Sequence, residues 1–227
     1  DNPLSLDYRS EDLPQHIRAA LYESSSTRRK GRVGKSKVHD NLSRLRDILE
    51  SGADYPELYR EIGLVLQELG AREQAKNKLR DAIDGEKFDP ASALRLSILC
   101  REDHEYDEAI QLGKRLIENG WDDPDKGQSL SRSVLLSYYL PKIWSGEHRE
   151  VLKETEDWEE RENLGLTYGS IRVQALRNYS QDTNDNKDEV YKIVESIEIA
   201  EKLFKEKGYA SYLVVEGFKI IKTTHMI

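Results

Sequence analysis

Gly31-Arg32-Val33-Gly34-Lys35-Ser36 carries the closing half of a phosphate-binding loop, in which glycines bring backbone N–H groups onto an anion and a lysine reaches its oxygens. The full motif also has a glycine five positions before Gly34, where Arg29 stands, and a buried strand in front, where this chain has Ser24, Ser25 and Ser26. The stretch therefore predicts no nucleotide site. Its charge is a separate matter: Arg28, Arg29, Lys30, Arg32, Lys35 and Lys37 form a candidate basic patch suited to phosphates or to an acidic partner. Asp182, Asn184 and Asn186 place oxygens at alternate positions as a calcium loop does, yet the twelfth-position ligand falls on Ile193. The five histidines lie far apart and none pairs at i, i+4 with another ligand type, so no metal centre is expected. No Ser/His/Asp or Cys/His set can be assembled. The chain reads as a non-enzyme with no cofactor.

These residues belong to a chain of 227, with 34% charged and 8% aromatic side chains and few glycines or prolines, a composition that suits helices with a large solvated surface. A net charge of -8 argues against general nucleic-acid binding and leaves a local basic patch open. The single cysteine, Cys100, excludes an intramolecular disulfide, and its place in a helical apolar pattern makes it a small core residue. No apolar run approaches the roughly 18 residues of a membrane span and no secretory leader is visible, so a cytoplasmic protein without membrane contact is expected. A chain that opens at Asp1 without methionine is expected to be a fragment of a larger protein.

What positions these residues is a repeat. Ile62, Gly63, Leu66, Ala75 and Ala82 recur thirty-four residues later as Leu96, Ser97, Cys100, Ala109 and Leu116. Tyr59, Ile62 and Leu66 share one helical stripe, the small residues mark close helix contacts, and Gly70 ends the first helix where a left-handed cap is cheapest. His104 replaces that glycine in the second unit, which predicts a differently built turn, and Gly113 replaces a large residue, leaving Leu112 and Leu116 to fill that face. Period and spacing resemble the tetratricopeptide repeat (TPR) family, whose unit is a helix-turn-helix. One such pair cannot bury its own stripe, so more units must stack beside it. The resemblance implies an all-α, TPR-like right-handed α-solenoid of about five helical hairpins.

Taken in order, residues 1–10 form an extended lead-in and 11–52 a degenerate first repeat, with a helix from about Asp12, a mobile basic loop at 24–37 and a second helix over 38–50. Residues 53–123 hold two regular units, with helices near 55–69, 72–85, 89–102 and 105–119; Asp89-Pro90 is a helix start with proline just inside. Residues 124–158 form a lengthened third repeat, whose helix over 129–145 is kinked or ended by Pro141 and whose second helix starts after Gly146. Residues 159–227 continue or cap the stack, with helices over 161–179, 188–207 and 209–223 and a polar break at 180–187.

In the TPR family the first helix of each unit lines a concave surface. The resemblance places Arg60, Leu64, Leu94, Ile98 and Arg101 there, continued by Leu136 and Leu140. Members that grip a peptide carboxylate place asparagines where this chain has Leu64 and Arg95. The surface is therefore expected to be an apolar strip edged by Arg60 and Arg101, suited to an amphipathic helix or an extended segment. The reading is a protein-protein interaction scaffold or regulatory module whose partner is a protein or peptide segment, including another domain of the same chain. The alternative is an RNA-associated helical-repeat module using residues 28–37 on nucleic acid.

Overall fold

The computed structural model describes residues 13–29, 35–84, 88–121, 131–157, 165–182 and 199, and every element among them is an α-helix. The chain divides into two compact units, residues 1–103 and 104–227, each with its own apolar core. The first unit holds α1 (Gln15–Arg29), α2 (Lys35–Glu50), α3 (Pro56–Glu68), α4 (Arg72–Asp84) and α5 (Pro90–Glu102). The second holds α6 (Tyr106–Glu118), α7 (Ser131–Trp144), α8 (His148–Glu154) and α9 (Gly165–Asp182).

Helices α3 to α5 start and stop for local reasons. Pro56 and Pro90 occupy first turns, where a missing N–H costs nothing and the fixed φ favours the helix. The Asp89 carboxylate caps α5 by accepting from the Ser92 N–H at 2.9 Å. At the far end of α3, Gly70 has φ +81°, and two bonds close the turn: the Gly70 N–H donates to the Gln67 carbonyl at 3.0 Å and the Ala71 N–H to the Leu66 carbonyl at 2.9 Å. The same pair of bonds recurs at Gly120 and Gly146 in the second unit. His104, expected to build a different turn, adopts φ +63° and so takes the left-handed backbone of the glycine it replaces. An imidazole bears that conformation at modest cost.

Packing in the first unit follows the expected stripes. Leu58, Ile62, Val65 and Leu66 of α3 are buried against α1, α2 and α4. A methyl on Gly63 would meet Leu79 Cγ at 3.0 Å and the Ala75 carbonyl oxygen at 3.2 Å, which explains the small residue. Charges bind α4 to α5: Arg72 reaches Asp103 at 2.8 Å and Glu102 at 2.9 Å, and the fully buried Lys76 reaches Asp103 at 3.0 Å and Glu73 at 2.8 Å. Cys100 has no exposed surface, as its slot in the pattern predicts.

The second unit is built on α7, which packs against α6, α8 and α9. Gly113 is the reason α6 comes so close. A methyl there would lie 2.7 Å from Tyr138 Cα and 2.8 Å from its nitrogen, so the departure from the repeat makes room for the α7 backbone. Lys142 of α7 is 5% exposed and its ammonium bonds Glu154 of α8 at 2.7 Å. Burial lowers that ammonium's pKa, but the bond to Glu154 and the nearby Tyr138 outweigh it, and the net shift is upward.

Two expectations are corrected and a third is narrowed. The loop expected over 24–37 is helix for much of its length, because α1 runs to Arg29 and α2 begins at Lys35. Ser24, Ser25 and Thr27 are buried, and the Thr27 hydroxyl donates to the Glu23 carbonyl at 2.8 Å, so small polar side chains serve where apolar ones were sought. Of the two outcomes expected at Pro141, a kink or an end, the second does not occur, since α7 continues to Trp144 as the helix expected over 129–145 does. Helix α9 extends to Asp182, three residues into the expected polar break. The helices expected over 188–207 and 209–223 lie outside the described residues, Ile199 excepted, as do Asn184 and Asn186.

Candidate functional site

The candidate face in the first unit comes from α3 and α5, with the last turn of α1 beside them. Of the residues assigned to it, Leu64 and Ile98 are half-buried, and Leu94 is withdrawn to 1% exposure. Arg60 does not edge the face. It is 4% exposed and its guanidinium donates to Asp89 at 2.5 Å, so the carboxylate that caps α5 also neutralises a charge from α3. Arg101 is half-buried, and burial holds its guanidinium below the usual arginine value against the carboxylate of Glu102.

A different arginine stands at the surface of this face. Arg95 donates its Nε–H to the Gln67 side-chain oxygen at 2.7 Å, joining α5 to α3. Burial lowers its pKa, Glu102 opposes that shift, and the positive charges of Arg72 and Arg28 reinforce it. Arg95 is thus a half-buried cation bonded to a neutral amide, with the Glu102 carboxylate acting on it more strongly than either neighbouring cation.

The basic patch is divided by the fold. Arg28 is committed to Glu61, a side chain with no exposure, through two bonds of 2.8 and 2.6 Å. Arg29 and Lys37 are exposed on α1 and α2. Lys35 lies in the first turn of α2, and Lys30 and Arg32 lie outside the described residues. In the second unit Leu136 and Leu140 are half-buried and pack onto the core formed by Leu135, Tyr139, Ile143 and Ile171.

Sequence reasoning overlooked the Arg28–Glu61 and Arg60–Asp89 pairs because their partners are 33 and 29 residues apart and no spacing rule links them. Arg95 did leave a trace, as the arginine standing where carboxylate-gripping members of the tetratricopeptide family have asparagine. Among the described residues no helix is long and apolar enough to cross a membrane. No family model, no curated protein and no solved structure matches this chain.

Proposed function

We propose that the chain is a protein-interaction module of the tetratricopeptide kind, a right-handed stack of helical hairpins that offers the α3–α5 face to a segment of a partner protein. The observation that carries this reading is Arg95, half-buried and bonded to Gln67, with Leu64 and Ile98 one helical turn away. A guanidinium beside a small apolar strip suits a segment that pairs an acidic residue with a large apolar one. The recurrence of Ile62, Gly63 and Ala75 at Leu96, Ser97 and Ala109 supports the repeat assignment.

Selection from a displayed random-peptide library tests it. Enriched peptides should combine a carboxylate with a large apolar side chain, and should lose binding to Leu64→Glu/Ile98→Glu and to Arg95→Gln. Peptides that bind these variants as well as the parent chain would remove the face from consideration.

A further inference from the structure

The last turn of α1 lies beside the α3–α5 face and puts one of its own side chains on it. Arg28 donates from Nε and from a terminal nitrogen to the two oxygens of Glu61, at 2.8 and 2.6 Å, and the Glu61 side chain has no exposed surface. This is the two-pronged fork by which a guanidinium recognises a carboxylate. Glu61 stands one helical turn before Leu64 on α3, so the seat continues the half-buried strip of Leu64 and Ile98. The Arg28 charge also acts on Arg95, the cation of the same face.

Little apolar surface holds Arg28 there. The first half of α1 buries Ile17, Ala20 and Leu21, whereas its second half buries Ser24, Ser25 and Thr27. The Thr27 hydroxyl donates to the Glu23 carbonyl of its own helix, and the Ser24 hydroxyl, in a residue 1% exposed, has no hydrogen-bond partner. Burying hydroxyls stabilises far less than burying methyl groups, and an unmet hydroxyl bears an uncompensated desolvation cost. The second half of α1 therefore opens more readily than the first.

We infer that Arg28 is a stand-in supplied by the chain's own α1: an arginine of the partner segment takes its place on Glu61 and lifts the second half of α1 from α3, while the segment's apolar residue packs on Leu64 and Ile98. The inference rests on the α3–α5 face being the binding face. An arginine suits the exchange better than a lysine because only the guanidinium repeats the fork. The free chain is then self-blocked, and its affinity is reduced by the share of time that Arg28 fills the seat.

The test has two arms, both on the whole chain. Ethylguanidinium, which copies the end of an arginine side chain, should raise the thermal midpoint of Arg28→Ala saturably at millimolar concentration. Ethylammonium should not, and neither the parent chain nor Arg28→Ala/Glu61→Gln should respond to either. No rise with ethylguanidinium overturns the seat and leaves the face reading untouched. In the second arm, peptides selected from a displayed library against Arg28→Ala should be enriched in arginine and should bind that variant about tenfold more tightly than the parent, which has to expel its own arginine first. Peptides without arginine, or of equal affinity for the two chains, overturn the exchange even where the seat takes ethylguanidinium. A selection that yields nothing against either chain removes the face and the exchange with it. Should Arg28→Ala lose its helical signal, Arg28→Gln keeps the stem and takes its place in both arms.

Discussion

Adding one methyl group at Gly113 sets two effects of known sign against each other. Alanine is the better helix former, and the change in a helix interior is worth up to about 1 kcal/mol. Against this, the new Cβ would stand 2.7 Å from Tyr138 Cα, about 0.7 Å inside the 3.4 Å at which ordinary contact begins. The obstacle is backbone, so no rotamer can retreat and α6 must part from α7. Overpacking of this kind costs about 1–3 kcal/mol, and parting the helices also loosens the packing of Leu112 and Leu116 from α6 and Val134 from α7, all of them buried. The expected net effect of Gly113→Ala is destabilisation by about 1–2 kcal/mol, a fall of about 2–8 °C in the thermal midpoint for a chain of this size. Far-UV circular dichroism melts read it directly, with Gln111→Ala on the exposed side of the same helix as the control. If Gly113→Ala melts at or above the parent chain, propensity has won and the close α6–α7 approach is refuted.

The other predictions concern packing and charge. Ala75→Leu and Ala109→Leu place large side chains at positions with no exposure and should each cost about 1–3 kcal/mol; unchanged melts would show that the repeat register is misplaced. Asp89→Ala removes both the α5 cap and the partner of buried Arg60 and should cost about 3–5 kcal/mol, whereas Asp89→Asn keeps a capping oxygen and should cost less. Urea titrations in which Asp89→Asn costs nothing would show that the Arg60 contact is not formed. The Asp103 carboxyl is held below its ordinary value of 3.8, first by the hydrogen bond from Arg72, against its own burial and with help from Lys76. A depressed folded-state pKa stabilises fully above the unfolded value and is lost as pH falls through the folded one. The stability gap between the parent chain and Asp103→Asn should therefore be constant above about pH 5 and shrink below about pH 4; a gap that stays constant in acid would exclude the linkage.

Helix positions in the middle of the chain were legible because local chemistry decides them. Pro56, Gly70, Asp89 and Pro90 act on their own turns, and the helices expected near 55–69, 72–85, 89–102 and 105–119 are found over 56–68, 72–84, 90–102 and 106–118. The end of α1 was not legible, since buried Ser24, Ser25 and Thr27 break an apolar pattern without breaking a helix. His104 was misjudged because glycine is favoured, not required, at a left-handed cap. Leu64 and Ile98 keep the partial exposure that a candidate face needs, whereas Arg60 was misread, because its fate depends on a carboxylate 29 residues away. Long-range ion pairs of this sort follow from which helices pack together, and one-dimensional periodicity does not contain that information.

Cys100 gives this chain a natural clock. It is the sole thiol in 227 residues and has no exposed surface, so a maleimide or aromatic disulfide can reach it only when α5 lifts from its neighbours. The labelling rate, divided by that of an unstructured thiol, equals the fraction of time the helix stands open wherever reclosing outpaces the reagent. Every copy of the native chain thus reports the opening of its fifth helix, with no probe to install. A bound segment that holds α5 shut should slow that clock in proportion to its occupancy.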